Sequence, residues 1–236
     1  MSFPAFGAIL FDLDGVLVDS EVLANQVWIA VLAQHNLHLS PHAFMKGSIG
    51  QTLTGVFDWL HAEHGWAKPD SFESRLDEQL LQAFETVRAL AGAEHTLRSL
   101  QAAGMPTAIV SNSQRDRLHL KLRAAGLNDL TNGHVYDPEH TEGRGKPFPD
   151  LYLLAAQQLG VPATRCLVVE DSVPGVQAGL AAGATVWGLC AGEHMHAGSA
   201  SELSDAGAAR LLHSHGELQQ ALAALGNGSE EQLKMR

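Results

Sequence analysis

Short apolar runs that end in polar, turn-forming residues recur along the chain and predict the strands of a buried sheet. Continuous apolar runs of this length are typical of parallel strands covered on both faces. From Gly92 onward they alternate with stretches of helical periodicity, which is the pattern of a doubly wound α/β sheet. The pattern predicts strands at residues 6–12, 106–111, 134–136, 166–170, 185–189 and 210–213. It predicts helices at residues 93–103, 114–125, 150–159, 174–182 and 216–225, followed by a frayed polar end after Gly226.

A stretch of helical periodicity separates the first predicted strand from all the others. Between about Ser20 and Leu90, apolar residues recur at the spacing of a helix face, with breaks near 40–41, 47–50 and 68–70. We therefore predict two domains. Residues 1–18 and 91–236 form a Rossmann-like α/β core around a doubly wound parallel sheet, and residues 19–90 form an inserted helical domain.

The charge balance and the hydropathy pattern exclude several classes of function. Acidic residues outnumber Lys and Arg by 26 to 15, and the formal net charge of −11 is opposite to the basic surface that nonspecific nucleic-acid binding needs. No apolar stretch approaches the roughly 20 residues of a membrane span, and no basic segment precedes the first apolar run as in a signal peptide. We expect a cytoplasmic protein in which Cys166 and Cys190 are reduced, although the sequence leaves a disulfide between them open.

Two aspartates close the first predicted strand, and they are the strongest chemical signal in the chain. Asp12 and Asp14 follow the apolar run and precede Gly15, and ligands of open parallel sheets bind at the carboxyl ends of the strands. Both side chains point the same way if the extended backbone continues that far, whereas a turn would splay them apart. With no Lys or Arg beside them in sequence, the two carboxylates repel each other unless a cation lies between them. This arrangement predicts a metal-dependent catalytic centre, and the alternative is an aspartate-rich turn.

Two further predicted strands end in polar residues of other kinds. One is followed by Ser111-Asn112-Ser113 and another ends in Glu170-Asp171-Ser172, while Lys146 lies in a connecting loop. A parallel sheet brings such strand ends together. The combined groups are a nucleophilic carboxylate, donors for an anion, a fixed cation and further carboxylates for a metal. These are the groups that phosphoryl transfer requires.

Four segments of the chain resemble the motifs of the haloacid dehalogenase superfamily, and within it the phosphatases similar to β-phosphoglucomutase and 6-phosphogluconate phosphatase. The resemblance covers nearly the whole chain and keeps the order and the ordinary spacing of the motifs. It implies that the inserted helices form a mobile cap, which closes over the active site and is hinged near residues 18–21 and 89–92. The matching segments are residues 12–21, 111–112, 145–150 and 170–179.

The resemblance also implies a role for each matching residue. Asp12 attacks the substrate phosphorus and becomes an aspartyl phosphate. Asp14 protonates the leaving alcohol and then deprotonates the water that hydrolyses the intermediate. Ser111 and the backbone N–H of Asn112 hold phosphoryl oxygens, and Lys146 neutralises charge between Asp12 and the phosphate.

The cofactor that the resemblance implies is Mg²⁺, which prefers hard oxygen ligands and keeps several waters. Its expected ligands are Asp12, the backbone carbonyl of Asp14, and Asp171, with Glu170 as a further ligand. Glu170 has an alternative role, because it could instead orient water or Lys146.

The inserted helices distinguish a phosphatase from a phosphomutase. In the mutases that this chain resembles, a histidine follows the first motif, and an arginine shortly after a Lys-Gly pair grips a second phosphate. The histidine position is Ala24 here, and although Lys46-Gly47 is present, the arginine position is Gly50. Without that cation, a bound bisphosphate loses a charge-assisted contact of roughly 1.5–3 kcal/mol. Lys46 itself is either a substrate contact or a solvated lysine.

We therefore expect a Mg²⁺-dependent phosphatase that hydrolyses small phosphomonoesters, such as sugar or sugar-acid phosphates, through an aspartyl phosphate. The alternatives are a β-phosphoglucomutase-type phosphomutase and a catalytically weak sensor that binds sugar phosphates. The expected partner is a small phosphorylated metabolite, with neither nucleic acid nor membrane, and the expected oligomeric state is a monomer.

Two groups of polar residues are assigned no catalytic role. Asp19, Ser20 and Glu21 are typical of a helix start. The segment His194-Met195-His196 is expected to be a solvated loop, since it lacks the spacing of a zinc site on one helix face.

Overall fold

A six-stranded parallel sheet forms the centre of the protein, which is represented by a computed structural model describing residues 6–48 and 53–234. The strands lie side by side in the order β3-β2-β1-β4-β5-β6. Their bounds are β1 (Ala8–Phe11), β2 (Thr107–Val110), β3 (Val135–Tyr136), β4 (Cys166–Glu170), β5 (Thr185–Leu189) and β6 (Arg210–Leu212).

The helices fall into two groups. Four of them precede β2 and follow β1 directly: α1 (Glu21–Gln34), α2 (Pro41–Ser48), α3 (Leu53–His64) and α4 (Phe72–Phe84). The others lead into, connect or follow strands β2–β6, with α5 directly before β2: α5 (Ala93–Ala102), α6 (Arg115–Ala124), α7 (Asp150–Gln158), α8 (Val173–Ala181), α9 (Ser199–Asp205) and α10 (His215–Lys234).

Strand β1 lies in the middle of the sheet, and its side chains enter two different hydrophobic clusters. Ile9 and Phe11 pack on one face with residues of α5, α6 and α10, while Ala8 and Leu10 pack on the other with residues of α7, α8 and α9. All four side chains are fully buried, which explains why the strand reads as a continuous apolar run. Because β1 is hydrogen-bonded to β2 on one side and β4 on the other, the ends of these three strands lie together.

A third hydrophobic cluster lies among helices α1–α4. Phe72, at the start of α4, is central to it, because its ring contacts those of Trp28, Phe57 and Trp66 at centroid distances of 5.8, 5.9 and 4.9 Å. The buried members of the cluster are Val31, Leu32, Phe44, Val56, Leu60, Trp66, Phe72, Leu76, Leu80 and Phe84.

The chain enters and leaves helices α1–α4 at one place. Val18 forms an antiparallel bridge with Ala89, and the N–H of Leu90 donates to the carbonyl of Leu17 at 2.9 Å. These contacts join the segments for which the sequence predicted a hinge. The division into a core of residues 1–18 and 91–236 and a cap of residues 19–90 stays a prediction.

The structure confirms the predicted strands and corrects two predictions about helices. Helix α9 was not predicted, because its Ser-rich sequence carries little apolar periodicity. Helix α10 continues to Lys234, so the prediction of a frayed end after Gly226 is wrong. Intrahelical backbone hydrogen bonds can extend a helix beyond the apolar residues from which its end was predicted. The predicted break near 68–70 is confirmed, because it lies between α3 and α4. The predicted break near 47–50 falls partly on residues 49–52, which lie outside the described part of the chain.

The cysteines and the helix lengths bear on two expectations from the composition. Cys166 and Cys190 are both free thiols. Across residues 6–48 and 53–234, no helix combines the length and the hydropathy that a membrane crossing requires.

His215, the first residue of α10, ties that helix to the loop after β1. Its ring is fully buried. Nε2 lies 2.7 Å from the carbonyl oxygen of Val16, and Nδ1 lies 3.1 Å from the hydroxyl of Thr96 on α5. Since a carbonyl only accepts, Nε2 carries the proton that is donated to Val16. Burial lowers the pKa of His215, although the hydrogen bond to Val16 opposes this shift.

We predict that His215 makes the fold less stable in mild acid. Its pKa is lower in the folded protein than in the unfolded chain, so the unfolded chain binds more protons and stability falls as the pH drops below about 6.5. Replacing His215 with Gln removes the titration and should weaken the fall in the melting temperature between neutral pH and about pH 5.5. His213, which is exposed in the same segment, supplies the control His213→Gln, for which the native pH dependence is expected. A native pH dependence in the His215→Gln variant would contradict the prediction.

Candidate active site

The ends of β1, β2 and β4 place the predicted site residues within one cluster. Asp12 follows β1, and its N–H donates to the carbonyl of Val169 in β4 at 3.0 Å. The chain then turns at Gly15, where φ is +77°. This position requires glycine for a second reason, because a Cβ there would lie 1.8 Å from Oδ2 of Asp171. The turn therefore brings the first motif directly against the motif after β4.

Lys146 is the buried cation at the centre of this cluster. Its ammonium contacts Asp12 Oδ1, and it donates to Glu170 Oε1 at 2.6 Å and to the carbonyl of Val110 at 2.8 Å. Burial lowers the pKa of Lys146, but the charges of Asp12 and Glu170 more than reverse this, so the pKa lies above its ordinary value. Burial raises the pKa of Asp12 well above its ordinary value, and Lys146 opposes that shift.

Asn112 fixes the backbone that carries Lys146. Its side-chain oxygen accepts from the N–H of Lys146 at 2.7 Å, and its side-chain nitrogen donates to the carbonyl of Lys146 at 2.9 Å. Asn112 was expected to act through its backbone N–H alone. The structure adds a function for the side chain, which holds the loop that carries Lys146 against the end of β2.

Asp14 points to a different set of donors from those around Asp12. Oδ1 is contacted by the hydroxyl of Ser20 and the ammonium of Lys121, while Oδ2 accepts from Ser111 at 3.1 Å and from Ser113 at 2.8 Å. Burial would raise the pKa of Asp14, but Lys121 and the hydroxyl donors lower it to about 2. Asp14 is therefore a carboxylate in this arrangement, and Ser111 is hydrogen-bonded to it.

The two aspartates are neutralised by lysines that lie far away in sequence. Lys146 pairs with Asp12 and Lys121 pairs with Asp14. The sequence argument that required a cation between unpaired carboxylates is therefore wrong in its premise, because the fold itself supplies two ammonium groups. The case for a metal rests instead on a cluster formed by Asp12, Glu170 and Asp171, each of which has a carboxylate oxygen within 4.8 Å of the others.

Glu170 is the most completely hydrogen-bonded member of that cluster. Oε1 accepts from Lys146 and from the hydroxyl of Tyr152 at 2.7 Å. Oε2 accepts from the N–H groups of Asp171 and Ser172 and from the Ser172 hydroxyl, at 3.1, 3.2 and 2.9 Å. The side chain is fully buried. These five donors favour a positioning role for Glu170 over a direct metal contact.

Two residues to which no catalytic role was assigned contact acidic residues of this cluster. Nε2 of His194 donates to Asp171 Oδ2 at 2.9 Å, and its side chain is only 18% exposed, so the prediction of a solvated loop is wrong for His194. His196 is exposed, as expected. Ser20 makes no side-chain cap to α1 and contacts Asp14 instead. Burial raises the pKa of Asp171 to about 6, and the hydrogen bond from His194 opposes that shift.

The remaining predicted residue, Lys46, lies on the inserted helix α2 rather than at a strand end. It is exposed in the last turn of α2. Gly50, on which part of the argument against a mutase rests, lies outside the described residues. Ala24 is in α1 and packs against the cluster of the inserted helices.

Lys121 could have been recognised from the sequence. It lies between Leu118 and Leu122 on the buried side of α6, and a lysine at a core-facing position of an amphipathic helix needs a buried partner. No comparable local signal exists for His194, because its contact with Asp171 joins two loops.

Comparisons with known proteins identify the family of this chain. Residues 6–183 match the family described as haloacid dehalogenase-like hydrolase. Hexitol phosphatase A of Escherichia coli (strain K12) is 37% identical over 182 residues, covering 75% of this chain and 80% of the relative. The 6-phosphogluconate phosphatase of the same organism is 31% identical over 199 residues, covering 79% and 84%.

A solved structure is similar over nearly the whole chain. The crystal structure of a HAD family hydrolase from Deinococcus radiodurans R1, with bound phosphate and sodium, is 53% identical, covers 94% of this chain and 97% of that chain, and has a TM-score of 0.85. The predicted family, fold class and enzyme class are thus confirmed. The chain belongs to the haloacid dehalogenase-like hydrolase family, and it is a phosphoric monoester hydrolase.

Proposed function

We propose that this enzyme is a Mg²⁺-dependent phosphatase that hydrolyses small phosphomonoesters through an aspartyl phosphate on Asp12. The observation that carries the proposal is the contact of Lys146 with both Asp12 and Glu170 at the ends of the central strands. A buried carboxylate next to a fixed cation can approach an anionic phosphoryl group, because the cation offsets the repulsion between the two negative groups.

Asp12 and Asp14 divide the chemistry between them. In the first step a bond forms between Asp12 and phosphorus while the bond from phosphorus to the leaving oxygen breaks, and Asp14 gives its proton to that oxygen. The negative phosphoryl group beside Asp14 favours its protonated form before this step. In the second step Asp14 takes a proton from water, and the water oxygen displaces Asp12 from phosphorus.

The other site residues bind and orient. When substrate binds, the hydroxyl of Ser111, which donates to Asp14 in this structure, and the N–H of Asn112 hold phosphoryl oxygens, since both residues follow β2. Lys146 neutralises charge between Asp12 and the phosphoryl group. Glu170 holds Lys146 in place through its hydrogen bond and ion pair.

The donor set fits Mg²⁺, because the cluster of Asp12, Glu170 and Asp171 offers carboxylate oxygens and no sulfur. Asp12, Asp171 and the backbone carbonyl of Asp14 would hold the ion, and His194 would orient the carboxylate of Asp171. When bound, Mg²⁺ supplies positive charge that stabilises the phosphoryl oxygens.

The substrate class follows from the relatives rather than from the cluster itself. Relatives named hexitol phosphatase and 6-phosphogluconate phosphatase support a small sugar or sugar-acid phosphate. Residues 19–90 would act as the cap, with Lys46 as a candidate substrate contact. We retain the expectations of a monomer, a cytoplasmic location and a small phosphorylated metabolite as the partner.

A phosphomutase is the second candidate, and Ala24 disfavours it, because alanine cannot supply the imidazole expected there. A sensor that binds sugar phosphates without turnover is disfavoured by the complete set of charged groups around Asp12.

Phosphate release from a panel of sugar and sugar-acid phosphates in Mg²⁺ tests the proposed function. The native enzyme should release phosphate, and Asp12→Asn should lower the rate by about 10⁴-fold or more, the scale on which loss of a nucleophile acts. The matched size of Asn should preserve the fold, which circular dichroism checks. Isomerised product with little free phosphate would favour the mutase, binding without turnover would favour the sensor, and an active Asp12→Asn enzyme would overturn the role of Asp12.

A second prediction concerns the metal site and is measured without turnover. Removing His194 frees Asp171 to rotate, so His194→Ala should weaken Mg²⁺ binding by about 10-fold, measured by calorimetric titration in the absence of substrate. His196→Ala, in the same loop, is the matched control and should bind Mg²⁺ as the native enzyme does. Unchanged or tighter binding by His194→Ala would contradict the orienting role.

A further inference from the structure

Lys121 is a buried lysine whose presence is not explained by stability. Its side chain is 3% exposed, and it lies between Leu118 and Leu122 on the face of α6 that enters the core. Taking an ammonium out of water is costly, and apolar residues of similar volume often replace buried ion pairs at no loss of stability. The buried charge of Lys121 therefore points to a function.

The contacts of Lys121 all converge on the acid/base group. Its ammonium contacts Asp14 Oδ1 and donates to the hydroxyl of Ser113 at 2.7 Å, and Ser113 in turn donates to Asp14 Oδ2. Lys121 and Ser113 thus bind both oxygens of the carboxylate. Such an arrangement fixes the orientation of a carboxylate more strictly than a single donor does.

Lys121 is also covered from the side of the inserted helices. Its Nζ lies 4.9 Å from the ring centroid of Phe84, in the last turn of α4. The ring excludes water from the ammonium, and an ion pair in a dry environment is stronger than the same pair in water. The ion pair between Lys121 and Asp14 is therefore stronger than a fully exposed pair.

We propose that Lys121 is a positioning residue of the acid/base centre, which holds the carboxylate of Asp14 in the orientation from which it exchanges a proton with the leaving oxygen. The inference rests on the proposed function. Asp14 gives its proton to the leaving oxygen as the bond to phosphorus breaks, while Lys121 keeps its own protons and acts only through charge and hydrogen bonding. Holding a catalytic group in its reactive geometry lowers the barrier of such a step.

The leaving group of the substrate reveals this role. p-Nitrophenolate departs without a proton, whereas an alkoxide needs one. We compare kcat/KM, which reports the steps through formation of the aspartyl phosphate, for p-nitrophenyl phosphate and β-glycerol phosphate. In Lys121→Met, kcat/KM for β-glycerol phosphate, the alkyl ester, should fall by about 10–100-fold, because part of the general acid catalysis by Asp14 is lost. For p-nitrophenyl phosphate, the aryl ester, kcat/KM should fall by less than about 3-fold.

Arg117 provides a matched control on the same helix. It pairs with Asp77 of α4 one turn before Lys121, so Arg117→Met removes a cation between the same two helices and should leave both values of kcat/KM unchanged. Equal losses on both esters in Lys121→Met, or no loss on either, would overturn the proposal. If Lys121→Met does not fold, Lys121→Gln makes the same comparison with a hydrogen-bonding side chain that lacks the charge.

A double-mutant cycle separates an action through Asp14 from a general structural effect. In an Asp14→Asn background, Lys121→Met should cause no further loss on the alkyl ester, because the group that it serves is gone. Additive losses would overturn the proposal. Hydrolysis of the aryl ester that depends on Asp12 but not on Lys121 would uphold the proposed function independently, so a failure of one inference is distinguishable from a failure of the other.

Discussion

The contact of Lys146 with Asp12 and Glu170 is the interaction on which the rest of the site depends. It joins the loop before α7 to the ends of β1 and β4, and a third hydrogen bond to Val110 adds the end of β2. An ammonium buried at this depth is stable only when it is paired and hydrogen-bonded. The fold neutralises the positive charge of Lys146 with two carboxylates, and the same positive charge can attract an incoming phosphoryl group.

The same principle recurs around the other charged groups of the site. Asp14 is paired with Lys121, and Asp171 is hydrogen-bonded by His194. Each pair brings together segments that are distant in sequence, so the parallel sheet is what makes the pairing possible. The protein as a whole carries a formal net charge of −11, and attraction of an anionic substrate therefore depends on these local cations rather than on the field of the whole molecule.

Much of the fold was predictable from the sequence because the information is local. The apolar runs of the buried strands and the polar residues that end them give both the sheet and the positions of Asp12, Ser111 and Glu170. Helix α9 and the last part of α10 were missed because neither carries the apolar periodicity on which the prediction depended. The pairings made by Lys121, Ser20 and His194 are long-range or cross a turn, and only the three-dimensional arrangement reveals them.

The central claim is that Asp12 becomes covalently phosphorylated, and trapping that intermediate tests it most directly. The Asp14→Asn variant should form the intermediate from p-nitrophenyl phosphate but hydrolyse it slowly, because it lacks the base that activates water. Acid quenching followed by peptide mass spectrometry should then find one phosphoryl group on the peptide that contains Asp12, at this residue. A phosphoryl group on another residue, or turnover with no phosphorylated peptide at any time point, would contradict the account.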